Sequence, residues 1–243
     1  MKPDYPAEEQ LPQLRELWKE AFGDDDAFLD TFFETAFAPD RCRCVTVDGE
    51  VAAALYWFDC RCYDRPVAYL YAVATRKVFR GQGLCRALMA DTERFLSALG
   101  YGGIVLVPGQ KGLFRMYEGM GYAVCSGIRE FSCQRGDAPA TMWAVDTEEY
   151  ARLRRKYLPA GGVVQEGANL SLLAAQCSLH AGEDFLYAEG AELLGNADAA
   201  PGILAALGKN SGIFRTPGQG RPFAMYRPLT DLPAPRYFGL AFD

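Results

Sequence analysis

The residues best suited to chemistry lie in one short run, Arg80-Gly81-Gln82-Gly83-Leu84-Cys85-Arg86, which stands between an extended segment and a helical one. A helix opened in this way leaves its first backbone N–H groups without intrahelical partners, and the positive end of the helix dipole adds to their pull on an anion. Gly81 and Gly83 allow close backbone approach, and Arg80 and Arg86 add charge, so a pyrophosphate is the natural ligand. Glycines at a helix start serve tight turns equally well, so neighbouring residues must decide. A Walker loop needs Gly-Lys-Ser/Thr, which is absent. A dinucleotide fingerprint needs glycine or alanine at position 86, where Arg86 stands.

Other reactive side chains offer less. Cys42 with Cys44, and Cys60 with Cys62, each share a strand face and could offer two thiolates to zinc, but a turn at Asp48-Gly49 sets Cys42 opposite a residue near 55 and keeps the four from converging. They read as buried small hydrophobes, and no metal is expected. His180 is the sole histidine and falls outside the segment around the glycine loop. Cys85, at a helix start, is placed where a thiolate is stabilised.

The elements that position these groups follow from periodicity. Leu11, Leu14, Leu17, Trp18 and Phe22 recur at helical spacing up to Gly23. Phe28, Leu29, Phe32, Phe33 and Phe37 do the same after the caps Asp24 to Asp26. From Arg41 the period becomes two, with a hairpin signal at Asp48-Gly49, a strand over 51–62 and a third over 67–75. A helix follows with Leu84, Leu88, Met89, Thr92, Phe95, Leu96 and Leu99 on one stripe. A short strand over 104–107, a short helix over 113–120 and a strand over 122–133 complete an α/β or α+β unit. Gln134 to Pro139 reads as a linker, and 140–243 as a smaller α+β unit with weak patterning. Within it, strands are expected at 185–188, 213–216 and 223–227, and helices at 146–157 and 200–207.

The chain resembles the GNAT superfamily of N-acetyltransferases, whose loop signature matches here as Arg80-x-x-Gly83-x-Cys85, with Cys85 in place of the usual Gly or Ala. The resemblance extends to Val73-Ala74-Thr75 before the loop and to Leu113-Phe114-Arg115-Met116-Tyr117-Glu118-Gly119-Met120-Gly121-Tyr122 after it, spanning about residues 7 to 133. It implies a mixed, mainly antiparallel sheet flanked by helices, with a GNAT domain over 1–135. The unit over 140–243 would then be a degenerate GNAT-like copy without a phosphate loop.

The activity implied is transfer of an acetyl group from acetyl-CoA to a primary amine by direct attack. Val73, Ala74 and Thr75 would meet the pantetheine arm, and Gly81, Gln82, Gly83, Leu84, Cys85 and Arg86, with Arg80, would hold the pyrophosphate. Tyr117 would protonate the departing thiolate. The general base is left open among Asp59, Glu34 and the carboxylates ending the apolar tail Tyr237 to Asp243. The alternative is an inactive acyl-CoA-binding or protein-binding module on the same fold.

Composition bounds the partners. With 25 Lys and Arg against 31 Asp and Glu, the net charge is −6, which disfavours nucleic acid and favours a cationic acceptor, whether a small molecule or a peptide amine. No run approaches the ~18 to 20 apolar residues of a membrane span. The acidic start, with Pro3 and Pro6, does not read as a secretion signal, so a cytoplasmic protein with reduced thiols is expected. A homodimer is among the assemblies left open.

Overall fold

A computed structural model describes residues 2 to 241. Helix α1 (Leu11–Phe22) ends where Gly23 turns left-handed at φ 79°, and α2 (Asp26–Thr35) starts at Asp25, whose carboxylate accepts the Phe28 N–H. Strands β1 (Cys42–Val47), β2 (Glu50–Cys62) and β3 (Arg65–Thr75) then form the expected antiparallel meander. β2 is buried along most of its length because helices cover both of its faces, so its apolar residues run nearly continuously, where a half-exposed strand would alternate.

Helix α3 (Leu84–Ala98) crosses back to β4 (Gly103–Leu106), which pairs parallel to β3. After it come α4 (Lys111–Glu118) and β5 (Ala123–Gln134). The segment between 142 and 195 builds a separate four-stranded sheet from β6 (Met142–Ala144), β8 (Leu179–Gly182), β9 (Phe185–Ala188) and β10 (Glu192–Gly195). Around it lie α5 (Thr147–Tyr157), the two-residue β7 (Val164–Gln165), which pairs with β2, and α6 (Ala168–Ala174). The chain continues through α7 (Ala200–Ala206) and then returns to the first sheet. β11 (Ser211–Pro217) pairs with β5, and β12 (Arg221–Pro228) inserts between β4 and β5. The larger sheet therefore runs β1-β2-β3-β4-β12-β5-β11, so its last two strands in sequence come from within the stretch read as a second unit.

The sheet divides the core. One face packs α3 and α4 through Leu84, Leu88, Met89, Leu96 and Tyr117. The other packs α1 and α2 through Leu14, Leu17, Trp18, Leu29 and Phe32, and the same cluster continues into Tyr150, Leu170 and Leu173 of α5 and α6. No helix among the described residues is long and apolar enough to cross a membrane.

A fully buried ion pair ties α5, β10 and the C-terminal tail together. Arg154 donates to both oxygens of Glu192, at 2.5 and 3.1 Å, and the hydroxyls of Tyr150 and Tyr237 donate to the same carboxylate at 3.1 and 3.0 Å. The tail is held further by Gln165, which donates to the Leu240 carbonyl, and by Phe238, whose ring lies 4.7 Å from that of Tyr69. The tail thus docks through Ala241, as its apolar composition predicts. Asp243, whose carboxylates were candidates for the base, lies with Phe242 outside the described residues.

Candidate active site

β3 and β4 stay paired only from Val67 with Gly103 to Leu70 with Leu106. Beyond that point β3 runs on to Thr75 while β4 gives way to Val107-Pro108, and a proline has no N–H with which to extend the ladder. On its other edge β3 carries one extra residue. Between the pairs Ala54–Ala74 and Tyr56–Tyr71 it spends three steps against two on β2, and Ala72 sits there at φ 48°. The bulge begins where the ladder of the two parallel strands ends, leaving a gap in the pairing of β3 beyond Leu70. An alanine in the left-handed region is uncommon, and nothing in the local sequence announces it.

Because α3 runs back from the end of β3 to the start of β4, its N-terminus lies at the open end of this gap. Gly81 and Gly83 take φ 77° and 81°, and a Cβ at either would meet no atom within 4 Å. The first helical bond is Ala87 N–H to the Gly83 carbonyl at 3.0 Å. Among the described residues, the N–H groups of Gly81, Gln82, Gly83, Leu84, Cys85 and Arg86 reach no protein acceptor, so six donors surround exposed glycines at the positive end of a 15-residue helix.

The arginines divide their work. Arg80 is exposed and turns back to the Thr75 carbonyl through Nε at 3.0 Å, fixing the loop against the end of β3. Arg86 donates to the Gly119 carbonyl at 2.9 Å, tying the start of α3 to the end of α4. Gln82 donates to the Val78 carbonyl at 3.3 Å.

Tyr117, in the last turn of α4, is buried against this helix start, with its ring 5.8 Å from that of Tyr122. Its hydroxyl donates to no described residue. Burial, with the Cys85 thiol alongside, holds its pKa well above the ordinary phenol value, so it keeps its proton and is available as an acid. Cys85 itself is held above the usual thiol range by burial, which outweighs Arg86. The helix-start thiolate that the sequence suggests is therefore not stabilised.

Val73 has no partner in the β2 ladder, and Ala74 and Thr75 face the gap along the unpaired edge of β3. The loop, the free end of β3 and Tyr117 are therefore brought together. Other candidates are not. Asp59 pairs with Arg41 at 2.9 Å and accepts the Tyr101 hydroxyl, near the far end of α3, and Glu34 is exposed on α2. His180 sits on β8, with its pKa lowered by burial. The four strand cysteines are buried, with thiol pKa values pushed up, those of Cys44 and Cys62 to about 11. No cluster of three or more metal-ligating side chains occurs among the described residues.

This geometry has relatives. Residues 3–125 match the family model described as the acetyltransferase (GNAT) domain. No curated protein sequence matches the chain. Among solved structures, the chain is similar to a GCN5-related N-acetyltransferase from Kribbella flavida, with a TM-score of 0.67, 17% identity, and 93% of this chain and 70% of that one covered. It is also similar to Eis1 from Mycobacterium abscessus, with values of 0.70, 11%, 94% and 74%. A GCN5-related N-acetyltransferase from Anabaena variabilis gives 0.70, 14%, 94% and 73%. At these identities the likeness is one of fold, and its coverage takes in both sheets.

Proposed function

Because the chain belongs to the GNAT acetyltransferase family, we propose that it transfers an acetyl group from acetyl-CoA directly to a primary amine of a small-molecule or peptide acceptor. The observation that carries this reading is the set of six unbonded N–H groups at the start of α3, four of them on the exposed residues Gly81, Gln82, Gly83 and Arg86, beside the unpaired end of β3. Gly81 to Arg86, with Arg80, would hold the pyrophosphate, and the unpaired edge at Val73, Ala74 and Thr75 would meet the pantetheine amide groups.

Acetyl-CoA supplies an activated thioester. The neutral amine nitrogen forms the new C–N bond as the C–S bond breaks. The sulfur takes the Tyr117 proton, and the proton shed by the amine passes to water. Residues 140–243 would close one wall of the acceptor pocket, since the docked tail sets Phe238 against Tyr69 of β3. The cytoplasm is the expected compartment.

Release of free thiol from acetyl-CoA in the presence of a panel of primary amines tests the proposal. Amine-dependent release supports it. Acetyl-CoA binding with no release under any amine would leave a binding module on this fold.

A further inference from the structure

On the face of the sheet opposite α3, the gap opens beside a group of aromatic rings. Trp18 is buried at their centre. The ring centroids of Phe22, Phe28, Phe32, Tyr56 and Tyr71 all lie within 5.9 Å of its own. Tyr71 is the first β3 residue beyond the last pair with β4 and directly precedes the bulged Ala72. Trp18, Phe32 and Tyr56 are buried, whereas Phe28 and Tyr71 are partly exposed and Phe22 is 47% exposed. The group therefore has a packed floor and an open rim beside the unpaired end of β3.

One carboxylate stands on that rim. The indole N–H of Trp18 donates to Asp24 Oδ2 at 2.7 Å, fixing the side chain against the rings. The neighbouring acids are already engaged. Glu20 lies 3.5 Å from Arg76, Asp26 pairs with Lys19 at 2.6 Å, Asp30 pairs with Arg15 at 2.6 Å, and Asp25 caps α2. Among the described residues Asp24 has no cationic partner, and its Oδ1 accepts no hydrogen bond. The Tyr71 hydroxyl also donates to no described residue. Burial and the nearby Asp24 charge keep it un-ionised, so it stands beside the carboxylate as a neutral donor.

A negative charge without a counterion, set among ring faces, suits a cation attached to an apolar body. Because Asp24 alone of these acids is hydrogen-bonded into the ring group, the site offers one carboxylate against the rings and matches a single positive charge there. A polyamine or an aminoglycoside would find no second carboxylate within the ring group for its remaining ammonium groups.

We propose that Asp24, Trp18, Tyr71 and Phe22 form the acceptor subsite, and that it takes a primary ammonium carried on one flat apolar group, the chemical class of the arylethylamines. The assignment as acceptor subsite rests on the acetyl-transfer reading above, in which the bound ammonium first gives one proton to water and the neutral amine nitrogen then attacks the thioester.

Calorimetric titration of the full chain with phenethylamine, its uncharged counterpart phenethyl alcohol, and spermidine tests the subsite without turnover. The expected result is saturable phenethylamine binding at least about tenfold tighter than that of either competitor. Asp24→Asn keeps an oxygen for the indole N–H, and it should abolish the preference for the amine over the alcohol. Phe22→Ala, at an exposed ring, should weaken both aromatic ligands together. Absence of phenethylamine binding, tighter binding of spermidine, or an unchanged amine preference in Asp24→Asn overturns the proposal. Parallel titration with acetyl-CoA separates the two readings. If acetyl-CoA binds and phenethylamine does not, the acceptor class fails and the acyl-transfer reading stands. If phenethylamine binds with the Asp24 dependence and acetyl-CoA does not, the cation subsite stands and its role as acceptor site falls.

Discussion

Helix α3 carries its own control for the phosphate loop. Gly83 at its start and Gly100 just past its end take φ 81° and 86°, and a Cβ at either position meets no atom within 4 Å. Alanine at either position therefore adds no clash and brings only the cost of holding an L-residue in the left-handed region, about 1 to 2 kcal/mol. At ~2–4 °C per kcal/mol for a chain of this size, Gly83→Ala and Gly100→Ala should each lower Tm by about 2 to 8 °C. Their effects on acetyl-CoA should differ. Position 83 lies within the run of free N–H groups from Gly81 to Arg86, whereas position 100 lies at the far end of a helix of 15 residues, ~22 Å away. We expect acetyl-CoA affinity to fall at least about tenfold in Gly83→Ala, a loss of ~1.4 kcal/mol, and to be unchanged in Gly100→Ala. Differential scanning calorimetry and isothermal titration read the two effects separately. Equal acetyl-CoA affinity in the two variants, with comparable loss of Tm, would refute the assignment of the α3 N-terminus as the phosphate site.

Tyr117→Phe should lower kcat by about 10²- to 10⁴-fold while leaving acetyl-CoA affinity intact, because the ring still packs and only the proton donor is lost. Since burial holds the Tyr117 pKa above the ordinary value of ~10, the wild-type pH profile should show no falling limb from this group below about pH 10. Above about pH 10 the unfolded phenol ionises before the folded one, so Tyr117's contribution is full below that pH and is lost as pH rises through the folded pKa, which urea unfolding across alkaline pH would register. In the second region, Glu192→Gln removes the counter-charge of Arg154 where both side chains are at most 2% exposed. It should cost about 3 to 5 kcal/mol in urea unfolding, and a loss below ~1 kcal/mol would show that the pair is not needed to neutralise a buried guanidinium.

Local chemistry made the first half of the chain legible. The Asp48-Gly49 hairpin, the aromatic stripes of α1 and α2, and the glycine loop opening α3 each carry their signal within a few residues, and the structure forms those elements. The strand at 185–188 and the helix at 200–206 also stand where periodicity places them. Features set by distant pairing were not readable. Nothing around Arg221 to Pro228 says that this strand inserts between β4 and β5 more than 90 residues upstream, because a strand's pattern records which face is buried and not which strand lies beside it. β6 and β7 span only three and two residues, and β8 and β10, though as long as β9, are broken by His180 and Gly182 or by Glu192 and Gly195 where β9 is the unbroken apolar run Phe185 to Ala188. The bulge at Ala72 lacks the glycine that would have marked it. Asp24 to Asp26 read as one capping run, yet Asp25 alone caps α2, while Asp24 is drawn to Trp18 and Asp26 to Lys19, a division visible only once α1 and α2 are packed.

The most direct test of the central claim is calorimetric titration of acetyl-CoA into the wild-type chain and into Gly83→Trp, whose indole would fill the space before the α3 amides. The account predicts saturable binding to the wild type with a Kd of about 1 to 100 µM, and no detectable binding to the variant. A wild-type chain that folds but does not bind acetyl-CoA, or a variant that binds it equally well, would contradict the claim.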